Sequence, residues 1–108
     1  MNINPVLDQL NSEVAAFPER ASGEELYDYV GRVAARFAAA ERESLAEAVV
    51  TWLKLRSEPK TMLAVQIASD LRLIEVRPDV QSLLNDVHAG RAFIPYYARP
   101  IEAALKNI

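Results

Sequence analysis

His88 is the single histidine of the chain and there is no cysteine, so the groups that most often act as proton shuttle, nucleophile or metal ligand are nearly absent. An imidazole with no nucleophile or co-ligand beside it in sequence completes no working constellation. Close to the end of a helix it reads instead as a cation at the negative pole of the dipole. Carboxylates Glu41, Glu43 and Glu47 fall at steps of two and four. Only Glu43 and Glu47 share a helical face, and only if one helix runs through both. Two facing carboxylates can share a proton or hold a metal, but with Arg42 among them and Ser44 three residues before Glu47 they read as a solvated turn with a capping charge. Ser57 and Lys60 fit the Ser-x-x-Lys letters of serine acyl enzymes; the other motifs of that chemistry are missing, and Pro59 explains the segment as a helix start. The expectation is a chain that is not an enzyme and carries no metal or cofactor.

Aromatic residues offer a different kind of chemistry. Phe93, Ile94, Pro95, Tyr96 and Tyr97 form a short amphipathic patch, and tyrosines recur at interface hot spots because they bury a large area at low entropy cost. Tyr96 is the candidate for a partner contact; the alternative is that Tyr97 is core and Tyr96 covers the junction with the fifth helix. Tyr27 and Tyr29 point to different faces of one helix, so at least one lies outside the core. Trp52 sits on an apolar stripe and reads as core.

The whole composition agrees with a binding role. Twelve basic and fifteen acidic residues give a net charge of −3. No basic run of the kind used to hold nucleic acid or a membrane surface occurs, so neither is expected as a partner. The acidic excess lies in residues 1–56 and could steer a basic partner. The polar, acidic beginning MNINPVLDQLNSEV has none of the basic-then-apolar order of a signal peptide, and no apolar run approaches the length of a membrane span. A cytoplasmic protein is expected, with all 108 residues in a single α-helical, repeat-like domain.

Helical signals run almost throughout. Asn4 before Pro5 is a helix cap followed by a first-turn proline, and Ile3, Leu7, Leu10, Val14 and Phe17 recur at three- and four-residue steps until Pro18; these predict a helix over 5–16. Ser22 and Glu25 form a capping box for a second helix over 23–39, with Glu24, Glu25 and Asp28 at its positive end. A turn is expected near 40–44, from the lapse of the stripe and a further capping box at Ser44 and Glu47, with one continuous helix as the alternative. The third helix turns Leu45, Val49, Trp52 and Leu53 inward and ends near Arg56. The fourth, over 58–74 after Ser57-Glu58-Pro59, is the most apolar and belongs at the centre. Pro78 starts the fifth, with Val80, Leu83, Leu84 and Val87 inward, and Gly90 stops it. The last begins at Pro95 and must kink or restart at Pro100.

One apolar stencil returns three times: Leu26, Val30, Ala34, Phe37; Leu63, Ile67, Leu71, Ile74; and Tyr97, Ile101, Leu105, Ile108, at intervals of 37 and 34 residues. That period is the mark of stacked helical hairpins. Residues 58–108 carry a proline-started helix with the spacing Ala64, Ile67, Ala68, Leu71, a short loop, a second helix from Val80 to Val87, and a further first-type helix interrupted by Pro100. In this they resemble HEAT-type α-helical repeats, and 23–56 resemble a degenerate earlier copy. Lys60-Thr61-Met62 stands where the family's usual Asp and Val-Arg pair would fall.

The resemblance implies an all-α fold of five to six helices in antiparallel hairpins, in a HEAT-like superhelical stack that binds proteins through its second-type helices. Those helices would present Glu47, Thr51 and Lys54, and Gln81, Asn85 and His88. Together with Tyr96 they are the expected partner-binding residues. By analogy, a small acidic module without cysteine fits a bacterial immunity protein that binds and occludes a partner, a basic toxin domain being the candidate. A self-associating module, with the last helix as homodimer face, and a small-molecule-binding helical domain are the alternatives. Inward-facing polar groups would favour the latter, and Gln66, Ser69 and Asp70 are the residues to watch, since a buried Asp70 would reopen the enzyme reading.

Overall fold

The computed structural model describes residues 4–17, 23–57, 60–93 and 95–108. Among them the chain is all-α: six α-helices, α1 (Pro5–Ala16), α2 (Gly23–Ala40), α3 (Arg42–Leu55), α4 (Lys60–Asp70), α5 (Arg77–His88) and α6 (Ala98–Asn107), with single 3-10 turns at Ile74–Val76 and Pro95–Tyr97 and no strand. Ile3, Pro18, the Ser22 cap, Glu58, Pro59 and Ile94 lie outside the described residues. The contacts divide the chain into two compact units, Met1–Ala48 and Val49–Ile108.

In the first unit α1 packs on α2. The Asn4 side chain accepts from the backbone N–H groups of Val6 and Leu7 at 3.0 and 3.1 Å, satisfying two of the donors a helix start leaves open. Its amide nitrogen donates to the Ser44 carbonyl at 2.9 Å, so the cap also fastens α1 to the first turn of α3. Val6 and Leu10 of α1 and Val30 and Ala34 of α2 are fully buried, as are Leu45 and Ala48 of α3. The expected turn near 40–44 shrinks to one residue. Glu41 donates to the Phe37 carbonyl at 2.6 Å and accepts from Leu45 at 3.0 Å, which makes Glu41 the last link of one helix and the first of the next. Ser44 therefore stands inside α3, and the capping box expected at Ser44 and Glu47 does not form.

The second unit is built on α6, which packs against both α4 and α5. Trp52, Leu53, Ile67, Leu73, Val80, Leu83 and Ile101 are essentially inaccessible. Three helix ends in this unit close through a residue with positive φ. At α5, Gly90 (φ 76°) lets Arg91 donate to the Asp86 carbonyl at 2.8 Å and Gly90 to that of Val87 at 3.1 Å, a paired closure that satisfies two terminal carbonyls. At α4 the same two bonds form, Leu73 to Ala68 at 3.0 Å and Arg72 to Ser69 at 3.2 Å, but the left-handed position is held by Arg72 (φ 49°).

The fourth helix consequently ends at Asp70 and not at 74. Leu73 is drawn into the core, and Ile74, expected inside as the last member of its stripe, is 67% exposed. Pro100 falls in the first turn of α6 after the 3-10 turn at Pro95–Tyr97. The helix thus restarts there, at a place where a missing N–H costs nothing.

The end of α3 is a variant of this closure. Arg56 (φ 52°) donates to the Leu53 carbonyl at 3.3 Å, but the longer bond, from Ser57 to the Trp52 carbonyl, is replaced by a hydroxyl. Ser57 N–H donates to Thr61 Oγ1 at 2.9 Å, and Thr61 Oγ1 donates to the Trp52 carbonyl at 2.7 Å. Thr61 also donates its backbone N–H to the Ser57 carbonyl at 2.8 Å. One fully buried side chain thereby finishes α3 and starts α4.

Candidate functional site

Apolar periodicity fixes which side of each helix faces inward, and the residues expected to bind a partner are what remains outside. On α3, Glu47, Thr51 and Lys54 are exposed at steps of four and three; on α5, Gln81, Asn85 and His88 are exposed at the same steps. Gln81 Nε2 donates to Asn85 Oδ1 at 3.1 Å, an i, i+4 pair along the surface. His88 closes α5, with Nε2 3.3 Å from Glu102 Oε1 on α6.

Tyr96 lies in the 3-10 turn that packs on α5 and α6, and it is 74% exposed. Its ring stands edge-on to Tyr97 at 5.9 Å, and Tyr97 tilts against Phe93 at 5.2 Å. Phe93 reaches that position through a left-handed backbone (φ 53°). The three rings form one cluster whose outer member is open to solvent. Because this turn meets α5, the structure places Tyr96 at the same unit as Gln81, Asn85 and His88. Ile74, in the 3-10 turn that leads into α5, sits by the opposite end of that helix. Asp70 is exposed and accepts from Gln66 Nε2 at 3.1 Å. Ser69 is buried and accepts from Asn107 Nδ2 at 3.2 Å.

Two features of the site chemistry had no counterpart in the sequence reading. The first is Asp86. Arg56 Nε and Nη2 donate to its Oδ2 at 3.1 and 2.9 Å, and Arg91 Nε and Nη2 donate to Oδ1 at 3.2 and 3.0 Å. One carboxylate thus holds two guanidiniums, one on each oxygen, through charge-assisted hydrogen bonds. The hydrogen bonds from Arg91 and then Arg56 hold the carboxyl below its ordinary value of 3.8, against a smaller opposing effect of burial. The clamp ties the α3 terminus to α5, and it is structural in character because both guanidiniums are spent on the same acid.

The second is a half-open groove of about 470 Å³ between α1 and α2. Its α1 wall is Gln9 and Glu13; its α2 wall is Tyr29, Arg32 and Arg36 above a floor of Val33 and Phe37. Gln9 Nε2 donates to Glu13 Oε1 at 2.5 Å, and the Tyr29 hydroxyl donates to Glu13 Oε2. Arg32 Nε is turned back on the Asp28 carbonyl at 3.2 Å. The hydrogen bond to Glu13, reinforced by burial and by the Glu13 charge, raises the Tyr29 hydroxyl above its ordinary 10.0, with the Arg36 charge opposing. Phe17 tilts on Tyr29 at 5.4 Å. The spacing of Tyr29, Arg32 and Arg36 on one helix was readable from sequence; what was not is that α1 would set Glu13 opposite them.

Among the described residues no helix is long and apolar enough to cross a membrane. No protein-family model, curated protein or solved structure matches the chain.

Proposed function

We propose that this chain is a non-enzymatic protein-binding module that acts by covering a surface of a partner protein. The observation that carries the reading is Tyr96: a large aromatic side chain left mostly in solvent, with its ring edge-on against Tyr97, which in turn packs on Phe93. A ring held in place before binding loses little freedom when a partner covers it. Asn85, His88 and Gln81 supply a polar border on α5, the arrangement of apolar centre and polar rim that protein interfaces use.

The partner we favour is basic. Glu24, Glu25, Asp28, Glu41, Glu43 and Glu47 are all exposed, and the net charge is −3. An acidic surface of this kind suits an immunity or antidote protein of the cytoplasm that occludes a basic toxin domain. The recurrence of the apolar stencil, kept at Val30 and Ala34, Leu63 and Ile67, and Ile101 and Leu105, all buried, supports a short HEAT-like stack as the scaffold of that surface.

Capture of a partner from native lysate on the tagged chain, with the mass of the purified protein measured by light scattering, tests the reading. A single stoichiometric partner that is lost with Tyr96→Ala and weakened with Asn85→Ala is expected. A stable homodimer that retains nothing, and that Tyr96→Ala dissociates, would replace it with self-association. One observation favours a second reading, a small-molecule-binding helical domain: the charged groove between α1 and α2.

A further inference from the structure

The groove between α1 and α2 combines groups that a mere gap between surface helices has no need to combine. Its floor, Val33 and Phe37, is apolar, and its α2 rim carries Arg32 and Arg36 one turn apart, close enough to face a single ligand group. Glu13, across the groove, is the one carboxylate among the described residues of the lining, and each of its oxygens already accepts a hydrogen bond, from Gln9 and from Tyr29. The strongest remaining donors are the two guanidiniums. Among the described residues, two guanidiniums against one carboxylate leave a single net positive charge, and the volume of about 470 Å³ falls within the usual range of small-ligand sites.

From this arrangement we propose that the α1–α2 groove is a binding site for a small aromatic monocarboxylate. The carboxylate lies between Arg32 and Arg36, whose planar forks match its two oxygens. The ring lies over Val33 and Phe37, where it removes apolar surface from water. A dianion such as phosphate fits less well: Glu13 opposes a second negative charge, and a phosphate has no apolar body to cover the floor. Tyr29, held by Glu13 and stacked against Phe17, forms the end wall and sets the length of ligand the site accepts. The proposal deepens the small-molecule reading and rests on the groove alone, so its fate and that of the Tyr96 surface are separable.

The test is a titration of the isotope-labelled chain with 3-phenylpropionate, followed by backbone amide shifts, with the neutral 3-phenylpropanamide and inorganic phosphate as comparison probes. Saturable shifts confined to residues 5–40 are expected. The amide should bind about tenfold more weakly, the discrimination a charge-assisted contact supplies, and phosphate should give no saturable response. Replacing both rim arginines (Arg32→Gln with Arg36→Gln) should weaken the carboxylate by about tenfold and leave the amide unchanged. Equal binding of acid and amide, shifts centred outside residues 5–40, or tighter binding of phosphate would each overturn the proposal. The acid-against-amide comparison is made on the unmodified chain and stands even if the double variant folds poorly.

Discussion

The α1–α2 pair and the α5–α6 pair both pack through apolar stripes, and they differ in the polar residues that flank them: a charged groove lies between α1 and α2. In α6, Ile101, Ala104 and Leu105 are buried, and α4 and α5 both pack on it. The α1–α2 pair buries Val6, Leu10, Val30 and Ala34, but arginines and a glutamate occupy the positions just beside that seam. Between α5 and α6 the polar pair is His88 with Glu102, at the last turn of α5. In α1–α2 polar groups run along its length. The residues that flank an apolar stripe thus decide whether a charged groove opens beside it.

The sharpest way to break this contrast is to cut a matched hole on each side. Leu83 and Leu10 are both fully buried, and truncation of such a leucine costs about 2–5 kcal/mol, more where the surroundings cannot relax into the space. Leu83→Ala is expected toward the upper end of that range and Leu10→Ala toward the lower, because the open groove beside α1 gives its helix room to settle. Urea unfolding of both variants measures the difference; equal losses would mean the groove confers no such freedom.

Next in size is Thr61→Val, which keeps the shape of the side chain and removes the hydroxyl inserted between Ser57 N–H and the Trp52 carbonyl. Losing both hydrogen bonds of the buried hydroxyl should cost about 1–3 kcal/mol. Thr61→Ser keeps the hydroxyl and should recover most of the loss. A Val variant as stable as the parent would show that the closure of α3 does not depend on the relay.

The smallest expected effect is that of the Asp86 clamp, whose groups are partly exposed and therefore screened. Its folded pKa lies below the ordinary 3.8. The stabilisation is thus fully present above that value and is lost as pH falls through the folded pKa. Asp86→Asn should lower the unfolding midpoint at neutral pH, less so in high salt, and should match the parent once acid has protonated the carboxylate in both states. A gap between the two proteins that persists unchanged into acid would show that the carboxylate charge is not what the clamp uses.

Much of the fold was legible in particular residues. Asn4 with Pro5 marked the start of α1, Gly90 marked the end of α5, and the inward residues Val80, Leu83, Leu84 and Val87 followed from spacing. These are signals written by local chemistry: a side chain that can cap, a glycine that accepts positive φ, a period of 3.6. The end of α4 was not legible. Arg72 takes the left-handed conformation that glycine usually supplies, at a cost of about 1–2 kcal/mol, and nothing in the letters around it announces that choice. The stop is set by Leu73, which gains a fully buried position once the chain turns. Ser44 and Glu47 failed for the converse reason: they carry the letters of a cap, but α2 passes into α3 through Glu41 with no free turn to cap.

The candidate site divides along the same line. Exposure of Glu47, Thr51, Lys54, Gln81, Asn85, His88 and Tyr96 follows from periodicity, since each falls off an apolar stripe. The sequence by itself therefore determined that the chain is helical, where most helices begin, and, except where α4 ends early at Ile74, which residues lie outside. Only the tertiary structure decided which distant groups meet: Arg56 and Arg91 on Asp86, Thr61 under Trp52, and Glu13 on Tyr29 beside Arg32 and Arg36. The physical reason is range. Propensity, capping and amphipathicity act over one or two turns and are written in neighbouring letters, whereas a salt bridge or a groove joins residues whose separation in sequence carries no trace of their meeting.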